Sequence, residues 1–245
     1  MIKDNSECRC CELKNALENI SKVTGDNQGI SVNKKNIEKI QKWHENISLI
    51  SNKIEEIEKN IIPLIESNLK YSFNNTDLLL TSFFGPSSKN VFKEIKEQPE
   101  IAAQIPSSKN NIDYLNYLIK LSEIAQTLAW IGDGAIKSAL MSDIMSDIDV
   151  CGIEKINAKL LHSRRKKYEK NSNLAIFCDE WKLYENIIEI KKTTTKKLDP
   201  IKGTLFESVI GSLYIDIMQN QISKENYDIN EQILTLLKEN TLEVI

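Results

Sequence analysis

A chain of 245 residues, 41% apolar and 27% charged, is long enough for one good-sized domain with an appendage and has the make-up of an ordinary globular protein. It holds no apolar run of membrane-spanning length. Its opening segment, MIKDNSECRCCELKN, lacks the apolar centre of a secretory signal, and its five cysteines are an odd number, so a cytoplasmic protein without a disulfide framework is expected.

The net charge of −3 argues against a uniformly basic nucleic-acid binder, but the charge is unevenly spread. Residues 155–197 carry twelve Lys/Arg against five acids, a local balance of +7 that leaves −10 for the rest of the chain. One basic face on an acidic body is expected.

Residues 1–35 are polar and weakly periodic. They read as a loosely ordered segment with a short helix near 12–22. Cys8, Cys10 and Cys11 have the wrong spacing for zinc, which favours paired cysteines two to four residues apart and four ligands. From 36 to 66 the pattern sharpens. Ile37, Ile40, Trp43, Ile47, Ile50, Ile54, Ile57 and Ile61 recur at steps of three and four, which predicts an amphipathic helical extension. Such a stripe either packs on the domain behind it or pairs with a partner helix as a coiled-coil scaffold.

Asn74-Asn75-Thr76-Asp77 before Leu78-Leu79-Leu80 predicts a turn and a cap opening a short helix. Gly85-Pro86-Ser87-Ser88 ends it, and 86–110 reads as an exposed insertion. A long helix is predicted over about 111–146, followed by helices at 153–170, 172–180 and 181–190. A basic, Thr-rich loop at 191–202 comes next, then helices at 203–219 and 228–241. Almost nothing reads as strand, so the fold class is all-α, with a catalytic-domain candidate over 67–245.

Two of these helices carry chemistry. Leu128-Ala129-Trp130-Ile131-Gly132-Asp133-Gly134-Ala135 and Gly203 to Asp216 each embed a central acid, Asp133 or Glu207, among apolar and small residues. A carboxylate in such surroundings is costly unless it is paired or binds a metal. Gly132, Gly134, Gly211 and Ser212 would let the helices cross closely and bring Asp133 to Glu207. On the residues alone, a structural charge network explains the pair as well as a metal site does.

The sequence resembles the ribonuclease III family. That family's Leu-Glu-Phe-Leu-Gly-Asp-Ala signature stands here as Leu128 to Gly134. Its Asp-Val-Phe-Glu-Ala-x-x-Gly-Ala-x-Tyr-x-Asp run looks like Thr204 to Asp216. Leu69-Lys70-Tyr71-Ser72-Phe73 leading to Leu78-Leu79 resembles its start. Arg164 to Ala175, with Asn171, resembles its basic helix and Asn-x-x-Leu-Ala turn. The four stretches are collinear over about 65–220. Ala129 and Thr204 stand where the family usually has two further carboxylates. In this the chain is similar to mini-ribonuclease III, a branch without a double-stranded-RNA-binding domain, and no such domain is expected after the last helix.

The resemblance implies a Mg²⁺-dependent endoribonuclease, with Mn²⁺ able to substitute, that cuts double-stranded or structured RNA, ribosomal precursors among the candidates. Products would carry 5′-phosphate and 3′-hydroxyl ends. Asp133 and Glu207 would be the catalytic, metal-holding pair. Arg164, Arg165, Lys166, Lys167, Asn171, Lys191, Lys192, Lys196 and Lys197 would grip the RNA backbone, with Thr193, Thr194 and Thr195 adding hydroxyls. Trp130 would anchor a homodimer, although a Trp buried in the monomer core is the plainer reading. The loss of two carboxylates leaves open a dimer that binds duplex RNA or a protein partner without cutting. Lys137, one turn from Asp133, would pair with it or touch phosphate. Asp143, Asp147 and Asp149 are too distant to share the ion, Asp143 being ten residues or about 15 Å along the helix. His44 and His162 are expected at the surface.

Overall fold

The computed structural model describes residues 9–25, 34–103, 111–152, 157–190, 198–220 and 227–242. Among them the chain is helical, with one isolated parallel bridge, Phe84 to Ile188, and no longer strand. No helix there is long and apolar enough to cross a membrane.

Two helices form the centre. The 41-residue α7 (Asn111–Cys151) packs along the 21-residue α10 (Asp199–Gln219). Neither has a clean amphipathic stripe, because each is covered on several sides. The helix α9 (Asn171–Glu180) lies on α10, while α5 (Lys89–Lys96) and α11 (Ile229–Leu242) lie on α7. A short α8 (Ala158–Tyr168) bridges toward α9 and α11.

The N-terminal extension is part of the same core. The helix α1 (Arg9–Gly25) pairs with α2 (Lys34–Glu56), and both feed buried side chains into one cluster: Leu13, Leu17 and Ile20 from α1, and Ile40, Trp43, Ile47, Ile50 and Ile54 from α2. The isoleucine stripe therefore packs within its own chain. The short helix expected near 12–22 runs longer, from 9 to 25, and is held by a short apolar stripe and by His44. That imidazole was expected at the surface; it is half-buried, with Nδ1 3.1 Å from the Ser21 carbonyl oxygen. His162 is exposed. Trp43 donates its indole N–H to Glu94 Oε2 at 2.8 Å, joining α2 to α5. Residues 1–8 and 26–33 lie outside the described residues.

After α2 the helix widens through one π turn at Ile57–Ile61 and continues as α3 (Ile62–Leu69). Pro63 offers no amide hydrogen to the preceding turn, which explains the change in pitch. Lys70, at φ 49°, stops α3, and α4 (Thr76–Thr81) opens with Asn75 accepting the Asp77 N–H at 3.1 Å.

Two expectations are corrected here. Residues 86–103 are not an exposed insertion. The spacing of Val91, Phe92 and Ile95 gives α5 a buried apolar face, and a one-turn α6 (Pro99–Ala102) buries Ile101 and Ala102. Residues 104–110 lie outside the described residues. The helix expected at 181–190 is absent: only a 3₁₀ turn at Tyr184–Asn186 forms, and Ile188 runs extended beside Phe84. Its backbone N–H donates to the Phe83 carbonyl at 2.8 Å, and Gly85 N–H donates to the Ile188 carbonyl at 3.1 Å. Lys182, at φ 55°, breaks the helical path just before.

One buried acid outside the central pair ties the fold together. Asp216, fully buried on α10, accepts Tyr71 Oη–H at 2.7 Å, and the backbone N–H groups of Asn74 and Asn75 at 2.9 Å each. Burial, then the neighbouring Asp216, pushes the Tyr71 phenol well above its ordinary range, so Tyr71 stays a donor. Asp216→Asn turns one acceptor into a donor facing donors. A loss of about 2–4 kcal/mol is expected in urea unfolding.

Candidate active site

The crossing of α7 and α10 is made by glycine. A methyl group on Gly132 would fall 1.8 Å from the Glu207 carbonyl oxygen, and one on Gly211 would fall 1.9 Å from the Leu128 carbonyl oxygen. Both neighbours are backbone, so the helices are in main-chain contact. Ser208 tightens the same crossing, donating to the Ala125 carbonyl at 3.0 Å. Gly134, expected to share in it, does not: a methyl there meets nothing within 4 Å. Ser212 is buried but turns back on its own helix, donating to the Val209 carbonyl at 2.7 Å.

Aromatic packing sets the rotation of α10. Phe206 stacks on Phe177 of α9 with ring centroids 4.8 Å apart, and Trp181 meets it edge-on at 5.4 Å. With Phe206 held by α9, the next residue, Glu207, is carried about 100° around the helix. There it enters the electrostatic reach of Asp133. Burial pushes the Glu207 carboxyl up to about 7 from an ordinary 4.5, and the Asp133 charge adds to the rise while Lys137 opposes it. Lys137 Nζ lies 2.6 Å from Asp133 Oδ2. Glu207 makes no hydrogen bond or ion pair of its own among the described residues.

Two half-buried carboxylates held near each other at a desolvation cost suit a hard divalent cation, which takes oxygen ligands and retains water. Among the described residues no group of three or more His, Cys, Asp or Glu gathers to hold a metal, so the site offers two carboxylates and no third. Ala129 is buried and Thr204 exposed at the positions beside the pair. Asp143 is engaged elsewhere, with Lys238 at 2.7 Å. The side chains of Asp147 and Asp149, like those of Cys10 and Cys11, lie outside the described residues.

The pair has a signature in pH. An acid whose pKa is higher folded than unfolded holds its proton longer in the folded state. Metal-free protein should therefore lose stability as pH rises from about 4.5 to about 7, the window of the Glu207 shift. Below that window the contribution is complete, and above it the loss is constant. Glu207→Gln should remove this slope. Thermal melts of both proteins across pH 4–8 in chelator, compared by difference, check it.

Other candidate residues fall into three groups. Asn171, first residue of α9, packs against α10: a methyl on Gly203 would come within 2.7 Å of its Oδ1. Gly203 is one turn before Glu207, so Asn171 stands on the approach to the acids. Lys166 and Lys167 are exposed on α8, with Lys167 Nζ 5.6 Å from the Tyr168 ring centre. Arg164 and Arg165 share that helix, but their side chains lie outside the described residues. Lys191, Lys192, Lys196 and Lys197, with Thr193 to Thr195, also lie outside them. The helix after this segment starts at Asp199 rather than 203, with Pro200 in its first turn.

Trp130 is 78% exposed, against the plainer expectation of a core tryptophan. Nearby is a feature the sequence did not disclose, an apolar cavity of about 410 Å³ between α7, α10 and the Phe84–Ile188 bridge. Its lining includes Ser82, Phe84, Ala125 and Leu205, together with Ser122. The Ser122 hydroxyl is buried and has no hydrogen-bond partner among the described residues. A serine within a long helical stretch carries no signal for that.

Two touching helices, each lending one carboxylate to a half-open site, define an all-helical acid-pair domain suited to a divalent cation and a phosphate ester. The model of the ribonuclease III domain family matches residues 126–217, the stretch that holds the crossing and both acids. Over that stretch the chain is similar to ribonuclease III domains, a family of nucleases of the hydrolase class. No curated protein and no solved structure matches the chain.

Proposed function

We propose that this protein is a metal-dependent endoribonuclease that cuts double-stranded or structured RNA, with Asp133 and Glu207 as its catalytic pair. The observation that supports the reading is the main-chain contact of the two helices beside these acids, with Glu207 within the electrostatic reach of Asp133 and making no hydrogen bond or ion pair of its own among the described residues. Asp133 and Glu207 would hold a Mg²⁺ or Mn²⁺ ion, and Glu207 would have to give up its proton to do so. Such an ion would supply Lewis acidity for a water and for the scissile phosphate. Cleavage leaves 5′-phosphate and 3′-hydroxyl ends. Lys166, Lys167 and Asn171, with Arg164, Arg165 and the basic 191–197 segment, bind the sugar-phosphate backbone by charge and shape rather than sequence. Ribosomal precursor RNA is one substrate of this kind, and the reduced acid set aligns the chain with mini-ribonuclease III. A cytoplasmic location fits that role. Incubating pure protein with labelled duplex RNA and Mg²⁺, beside Asp133→Asn, tests the reading; uncut duplex, or equal cutting by the variant, would overturn it.

In this reading the protein acts as a twofold dimer. Trp130 is a large, exposed apolar anchor on the acid-bearing helix, and the cavity nearby offers apolar walls to an apolar side chain. Trp130→Ala should raise the dimer dissociation constant by about 30-fold or more, an effect of roughly 2 kcal/mol at an aromatic anchor. Sedimentation of both proteins across a concentration series measures it.

A further inference from the structure

The column of side chains on α7 that faces the site is Ala129, Asp133 and Lys137, one per turn. Across from it stand Thr204 and Glu207. Among the described residues Lys137 is the cation whose charge reaches both acids: its Nζ is 2.6 Å from Asp133 Oδ2, and it acts against the rise at Glu207. Two carboxylates and one ammonium leave the site a single net negative charge when all are ionised. A divalent ion turns that to one net positive charge, and a phosphodiester brings it to zero. Without Lys137 the same assembly would end one charge negative. A site stripped of two carboxylates and provided with a lysine is thus balanced for one divalent ion and one phosphate.

We propose that Lys137 is a working member of this site: it holds the Asp133 carboxylate when no metal is present, and turns to the scissile phosphate when Asp133 serves a metal. The inference rests on the nuclease reading above. Half-exposure of Lys137 leaves its flexible stem free to make that swing. The first role makes Lys137 a competitor of the metal; the second makes it a contributor to the chemical step. The two roles predict opposite effects of one substitution, a result that simple loss of structure does not produce.

Lys137→Met separates them. Titration with Mn²⁺, without RNA and followed by electron paramagnetic resonance, should show binding tightened by about 10-fold, since a nearby positive charge has gone. Single-turnover cleavage of duplex RNA at saturating Mg²⁺ should fall by about 10- to 100-fold, with the apparent affinity for RNA little changed. Lys137→Arg, which keeps the charge, should restore Mn²⁺ affinity to the wild-type value and most of the rate. An exposed i,i+4 pair contributes little to folding, so both variants should melt with the wild type. Unchanged or weaker Mn²⁺ binding by Lys137→Met, or a cleavage rate within about twofold of wild type, would overturn the assignment. A wild-type protein that neither binds Mn²⁺ nor cuts RNA would overturn the nuclease reading and this inference together, and is told apart because it needs no variant.

Discussion

Asp133→Asn and Glu207→Gln should each lower duplex cleavage in Mg²⁺ by about a thousandfold or more, while leaving the fold intact. The reason is the small ligand set. A site with four carboxylates can lose one and keep its ion; a site with two that loses one is left with a single protein ligand. Both changes preserve side-chain shape. Glu207→Gln also removes a half-buried charge that Asp133 repels, so its melting temperature above pH 7 should equal or exceed that of the wild type. The pH profile sharpens the expectation. Glu207 has to be ionised to hold a metal, so the wild-type rate at limiting Mg²⁺ should climb as pH rises toward 7 and then level. Raising Mg²⁺ should move the climb to lower pH, because metal and proton compete for one carboxylate. Single-turnover rates over pH and Mg²⁺, with circular dichroism of each variant, decide the matter. Wild-type rates in either variant would remove the pair from the mechanism.

Much of this site was legible in the sequence, and for a physical reason. Gly132 and Gly211 are poor helix formers set beside acids in apolar helices, a combination that makes sense only if backbones touch. The structure shows that contact. The same reasoning over-reached at Gly134, which sits two residues on and therefore faces elsewhere. Tertiary packing overrode the local reading at 86–103, where many polar residues hid the Val91-Phe92-Ile95 face, and at 181–190, where Lys182 takes a left-handed turn that sequence periodicity does not register. The isoleucine stripe of α2 announced a helix but not its partner, since the same periodicity serves a core or a coiled coil. The cavity shows the limit most clearly, since its walls come from elements far apart in the chain and only their arrangement creates it. Trp130 read either as a dimer anchor or as core, and only the packing of neighbouring elements leaves it at the surface.

The three glycines beside the acids give the sharpest structural contrast, because they should respond in opposite senses to one added methyl. Gly132→Ala would drive a carbon to 1.8 Å from the Glu207 carbonyl oxygen, and Gly211→Ala would drive one to 1.9 Å from the Leu128 carbonyl oxygen. Carbon and oxygen at such distances overlap deeply, and neither obstacle is a side chain that can rotate away. Relief requires α7 and α10 to separate, and these two helices make the largest contact in the fold. Each change should cost about 4–5 kcal/mol or leave the chain unfolded, the upper range of single-residue effects. Partial separation would also pull Asp133 from Glu207, so any folded fraction should bind Mn²⁺ weakly. Gly134→Ala adds its methyl in open space on an exposed helical face. There the gain in helix propensity should stabilise the monomer by about 0.5–1 kcal/mol. Urea unfolding of the three variants at low protein concentration tests the set. Equal penalties at all three positions would mean that α7 and α10 do not touch as described, and the acid pair would lose the crossing that brings it together.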